Sequence, residues 1–148
     1  CGIYNKGITN LAVNLLQEQL LDGEKIVNHF EKIGAQYNSA VTKDASYVSI
    51  RFVNTPFNIS HISYLLNQML TKYSITTEAF SREKELVLSS IKSRNLNPAS
   101  LVSTRSEEKF LINTGYAHPI IGYKKTVELL DLEKVIHILY SLSTLCIF

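Results

Sequence analysis

Apolar residues repeat at helical spacing near the start of the chain. Leu11, Leu15, Leu16, Leu20 and Leu21 recur with little charge before Glu18, which predicts a buried helix over residues 8–21. Asp22-Gly23 is expected to end it, because glycine accepts the backbone turn that follows a helix. A shorter helix over 24–33 carries Ile26, Val27, Phe30 and Ile33 on one face and closes at Gly34. The period then changes to two. Residues 35–41 and 46–53 alternate, and Tyr47, Val48, Ile50 and Phe52 are strand formers, so a hairpin is expected with its turn at Thr42-Lys43-Asp44-Ala45. Helical spacing returns after Asn54-Thr55-Pro56, with helices expected over 58–72, from Thr77 to 94, and from Asn97-Pro98 to 111. A glycine-containing loop over 114–122 precedes a last helical stretch around 130–140. This order predicts a single α+β domain over 1–148, with a mixed or antiparallel sheet.

Composition narrows the picture. A chain of 148 residues, 45% hydrophobic and 19% charged, has the makings of one packed core. The net charge of +2 comes from dispersed lysines and gives no reason to expect nucleic acid. No apolar run is long enough to predict a membrane span. Cys1 and Cys146 stand at opposite ends; a disulfide between them is the less favoured reading, and two cysteines make no framework. The compartment is not legible from these features.

Candidate chemistry centres on Gly7-Ile8-Thr9-Asn10-Leu11-Ala12-Val13-Asn14-Leu15-Leu16. Asn10 and Asn14 are four apart and so project from one face, the spacing by which an inverted zinc motif, H-x-x-E-H, shares one ion between two histidines. Val13 stands where that motif has its general base. Neutral amides lack the charge and donor strength that zinc selects, and valine cannot take a proton from water. Read alone, Asn10 and Asn14 are polar residues satisfied by backbone or water. His29, His61 and His137 have no second ligand at helical spacing, and His118 is a lone loop histidine. Glu83 and Glu85, two apart, point to different sides of a helix and form no catalytic pair.

Four stretches resemble the N-terminal domain of the pitrilysin/insulinase family of zinc peptidases and its silent relatives, such as the partner subunits of the mitochondrial processing peptidase. They are Gly7 to Leu16 followed by Gly23; Gly34-Ala35-Gln36-Tyr37-Asn38-Ser39 with Thr42, Asp44 and Tyr47; Arg82-Glu83-Lys84-Glu85-Leu86-Val87-Leu88-Ser89-Ser90-Ile91; and Tyr116-Ala117-His118-Pro119-Ile120-Ile121-Gly122. The resemblance implies a sheet covered on one face by helices. It also implies that Asn10, Asn14 and Ser90 occupy the three zinc-ligand positions, with the spacing from Asn14 to Ser90 close to the family's. Glu83 matches an acid that supports the ligands in active members. No cofactor is expected, although active relatives carry zinc.

The same resemblance places a peptide-binding edge at Asn38, Ser39 and Ala40, where an extended peptide would add as a strand. An ordinary edge strand is the competing reading. Family members have strands before the zinc helix, where this sequence has only Cys1 to Lys6. The first strands are therefore expected to be missing and the chain to be a fragment of a longer one. The implied role is that of an inactive peptidase homologue, partnering a catalytic homologous subunit or associating with itself, and holding extended peptide. The alternatives are an active zinc peptidase whose ligands come from elsewhere, or a structural remnant without partners.

Overall fold

The computed structural model describes residues 6–145, so Cys1, Cys146 and any pairing between them lie outside the described residues. The α+β expectation holds. Among the described residues, seven helices and two small antiparallel ladders follow in the order α1 (Ile8–Leu16), β1 (Leu20–Leu21), β2 (Glu24–Lys25), α2 (Ile26–Lys32), β3 (Gln36–Val41), β4 (Ser46–Arg51), α3 (Pro56–Thr71), α4 (Thr77–Leu96), α5 (Pro98–Phe110), α6 (Lys124–Glu128) and α7 (Leu132–Leu145). Among the described residues no helix is long and apolar enough to cross a membrane.

α1 is the centre of the domain. It packs against α7, α4 and β3, while α2 packs on α3 and β3. Ile8, Leu11, Ala12, Leu15 and Leu16 join Phe30, Leu65, Met69, Val87, Val135 and Leu139 in one apolar cluster. The hairpin closes over part of it. Gln36 pairs with Arg51, Asn38 with Ser49 and Ala40 with Tyr47, all exposed, whereas Tyr37, Ser39 and Val41 alternate to the half-buried side with Val48 and Ile50. Period-two patterning thus puts a polar face outward and an apolar face onto the helices. Tyr37 lies in a parallel stack on Phe30, with ring centroids 6.0 Å apart.

Among the boundaries that differ from the sequence expectation, three have a clear local reason. The first helix stops at Leu16 instead of running to 21. Asp22 and Gly23 both take left-handed backbone angles, φ 53° and 83°, and make the two-residue turn of a miniature hairpin pairing Leu20 with Lys25 and Leu21 with Glu24. Gln19 then turns inward, its Nε2 donating to the Met69 carbonyl at 2.9 Å. The third helix begins at Pro56, not 58, because Thr55 caps it: its Oγ1 accepts from the Asn58 amide at 3.1 Å and proline fits the first turn. The cap of α4 is Thr76, one residue before the expected Thr77, accepting from the Ala79 amide at 3.2 Å.

Gly7 and Gly122 lock the start of α1 to the loop before α6. Both have positive φ, 94° and 83°. A β-carbon on Gly7 would lie 2.6 Å from the Ile121 carbonyl oxygen, and one on Gly122 would lie 2.8 Å from the Gly7 α-carbon. The two backbones touch where no side chain fits. Thr126 Oγ1 donates to the Lys6 carbonyl at 2.8 Å and holds the same junction.

Candidate functional site

The two faces of α1 differ in kind. At 100° per residue, Ile8, Leu11, Ala12 and Leu15 fall on the core side, and Asn10, Val13 and Asn14 fall on the opposite flank. Asn10 and Asn14 are half-buried there. Val13 is 2% exposed but stands apart from the main apolar cluster. The flank that would carry metal chemistry is therefore covered, and covered around an apolar side chain.

α4 packs against α1. Its buried stripe is Ala79, Phe80, Glu83, Val87 and Ile91. Ser90 lies on that same side, three residues after Val87 and two turns after Glu83, yet it is exposed. Solvent thus reaches α4 at Ser90, while its neighbour Ile91 stays buried. The fold brings the helix of Asn10, Val13 and Asn14 against the helix of Glu83 and Ser90. As donors, two amides and a hydroxyl do not fit zinc, which takes imidazole, thiolate or carboxylate. Among the described residues no cluster of three or more His, Cys, Asp or Glu is placed to hold a metal ion.

Glu83 is buried, and burial, together with the nearby Glu18 charge, holds its carboxyl above the usual range despite Arg82 and Lys25. Glu18 was not among the residues singled out from sequence. It is buried, accepts from Lys25 Nζ at 2.8 Å and also pairs with Arg82. This ion cluster ties the first miniature hairpin to α4 directly beside Glu83. The available signal was Glu18 itself, the first charge in an otherwise apolar stretch.

The strand residues divide. Asn38 and Ala40 are exposed on the outer face of the hairpin, and Ser39 is half-buried on the inner one. β3 belongs to a two-stranded ladder, so its second edge has no strand partner among the described residues. Asn38 lines an open groove of 560 Å³ with Gln36, Ser49 and Arg51. The hairpin turn is clasped to the rest of the domain. Lys43 Nζ donates to Glu107 Oε2 at 2.6 Å and to the Tyr116 carbonyl at 2.8 Å, and the Tyr116 hydroxyl donates to Asp44 Oδ1 at 2.5 Å. His118 lines a neighbouring cleft of 360 Å³ with Lys6 and Lys43. Burial, then the charges of those two lysines, lowers its pKa, so it favours the neutral ring.

This arrangement, a buried helix flanked by a hairpin and closed by a second helix, defines an α+β fold with solved counterparts. A peptidase M16 inactive domain from Pseudomonas fluorescens superposes with a TM-score of 0.83 at 20% identity, covering 90% of this chain and 33% of that one. A conserved protein from Enterococcus faecalis gives 0.83 at 15% identity, covering 95% and 38%. A chain of complex III2 from Candida albicans gives 0.62 at 16% identity, covering 94% and 31%. The chain therefore has the fold of an M16 peptidase inactive domain and spans about a third of each of these proteins. No family model and no curated protein matches it.

Proposed function

We propose that the chain is a non-catalytic homologue of the pitrilysin/insulinase peptidases that binds extended peptide and works as a partner subunit. The observation that carries this reading is the pairing of fold and substitution. The fold is shared with an inactive peptidase domain, while α1 and α4, which pack together, carry Asn10, Val13, Asn14 and Ser90 at the positions that the resemblance assigns to ligands and base. Likeness to a chain of complex III2 supports a role within an assembly. The open edge of β3, with Asn38, Ser39 and Ala40, is the proposed seat of the peptide. Strand addition relies on main-chain hydrogen bonds and needs no metal, so it can outlast the loss of catalysis.

The test compares a labelled unstructured peptide with the same sequence N-methylated at alternate residues, measured by fluorescence anisotropy. N-methylation removes the donors that a strand needs, so weaker binding of the methylated peptide is expected. Equal binding of the two would eliminate the edge as the seat. The partner role is tested separately, by copurification with a homologue carrying an intact H-x-x-E-H.

A further inference from the structure

A groove of 460 Å³ opens between the C-terminal half of α4, α5 and the loop leading to α6. Two of its lining residues are arginines, Arg94 one turn beyond Ser90 and Arg105 on α5. Arg94 donates to Thr104 Oγ1 at 2.8 Å, which leaves most of its five N–H donors without an acceptor among the described residues. Arg105 makes no hydrogen bond or ion pair with any described residue. The acid lining the groove, Glu108, is already engaged by the Tyr123 hydroxyl, which donates to its Oε1 at 2.7 Å. That phenol is pushed up to about 12, by burial first and then by Glu108, so it stays a neutral donor and keeps the carboxylate occupied. The floor is apolar, from Ile91, Pro119 and Ile121.

We infer that this groove binds an acidic segment of polypeptide, one or two carboxylates flanked by apolar side chains, with Arg94 and Arg105 as the carboxylate receptors. Planar guanidinium forks match carboxylates in geometry, and two of them without acid partners leave a net positive groove. The apolar floor selects a peptide over a free ion, because Ile121 is only partly buried and gains cover from an apolar side chain. Glu108 disfavours a doubly charged phosphate more than a singly charged carboxylate. The site is separate from the hairpin edge and does not depend on it.

The experiment uses the full chain and short labelled peptides alternating Glu and Leu, their Gln-for-Glu counterparts, and each with a free or an amidated C-terminus, read by fluorescence anisotropy. The Glu peptide binds more tightly than the Gln peptide by about ten-fold, the worth of one charge-assisted pair. Arg105→Glu abolishes that preference. Arg105→Gln narrows it, and both variants keep the wild-type circular dichroism because the side chain is exposed and unbonded. Sensitivity to amidation assigns the receptor to a C-terminal carboxylate, and insensitivity assigns it to side chains. Equal affinity for Glu and Gln peptides with both termini, or a preference unmoved by Arg105→Glu, overturns the proposal. So does displacement of the peptide by inorganic phosphate beyond that by chloride at matched ionic strength, which would reassign the groove to phosphate.

Discussion

α1 and α5 both flank α4, and they are held in opposite ways. Six of the nine residues of α1 are buried, and its N-terminal Gly7 makes no side-chain cap. None of the thirteen residues of α5 is buried. α5 is fixed instead by polar ties: Asn97 Oδ1 accepts from the Ala99 and Ser100 amides, Thr104 accepts from Arg94, Glu107 from Lys43 and Glu108 from Tyr123. One helix exists because the core requires it, the other because its cap and tethers suit it. The difference explains why the half-buried Asn10 and Asn14 are tolerated on α1, since they lie off the side that meets the apolar cluster. It also explains why the free binding surface proposed above is on α5.

The comparison is broken most directly by truncating the core beneath α1. Phe30→Ala, at a fully buried ring, is expected to cost about 3–5 kcal/mol in urea unfolding. Val102→Ser on α5, at a residue 65% exposed, should fall within about 0.5 kcal/mol of wild type. Similar losses for the two would mean that α5 packs against something in solution.

The anchor of α1 gives a second contrast. Gly122→Ala is expected to cost about 3 kcal/mol, because the new β-carbon meets the Lys6–Gly7 backbone and the residue is held at positive φ. Gly23→Ala, at similar φ but in open space, should cost about 1 kcal/mol, the backbone strain alone. Equal costs would show that the loop yields at the junction.

Metal binding sharpens the reading of the polar flank. The wild-type chain is expected to hold no stoichiometric zinc after dialysis and to cleave no unstructured peptide in a chelator-controlled assay. Asn10→His and Asn14→His together with Ser90→Glu should gain one zinc per chain by elemental analysis. At zinc a hundred-fold above its dissociation constant, that variant gains about 2.7 kcal/mol of stability. No uptake by the triple variant would mean that these positions do not converge, and the proposed descent from a zinc peptidase would lose its main support.

The smallest effect is electrostatic. A carboxyl held above its usual range binds its proton more readily in the folded state, so Glu83 favours folding at low pH and loses that contribution as pH rises through and above the ordinary glutamate range. Glu83→Gln is expected to melt slightly above wild type at neutral pH and to converge with it in acid. A variant less stable at neutral pH would show that Arg82 and Lys25 outweigh burial.

Much of this architecture was legible because single residues decide it. The β3–β4 register follows from alternation through Tyr37, Ser39 and Val48, with the turn at Thr42 to Ala45 as expected. Asn97-Pro98 marked the start of α5 correctly. The miniature hairpin was missed because Asp22-Gly23 serves both as a helix stop and as a hairpin turn, and tertiary bonds from Gln19 to Met69 and from the Leu20 amide to the Ser74 carbonyl decide between them. α6, five residues long, carries too little periodicity to stand out. For the site, the helix spacing of Asn10 and Asn14 was readable, but the burial of Glu18 beside Glu83 depends on residues far apart in sequence. The unpaired state of Arg105 is likewise a property of the folded surface alone.

The junction of Gly7 and Gly122 also sets an order of events during synthesis. The Thr126 hydroxyl reaches the Lys6 carbonyl across 120 residues of chain, and α1 takes much of its packing from α7. A nascent chain can complete the β3–β4 hairpin early, since its strands are close neighbours. α1 emerges well before Gly122, Thr126 and α7 and must wait for them before its base is closed. Closing so long a loop carries an entropic cost that local structure does not offset in advance. Folding of this region is therefore expected to be limited by the meeting of α1 with the Gly122 loop and α7, with α1 exposing Leu11, Leu15 and Leu16 to chaperones until α7 arrives.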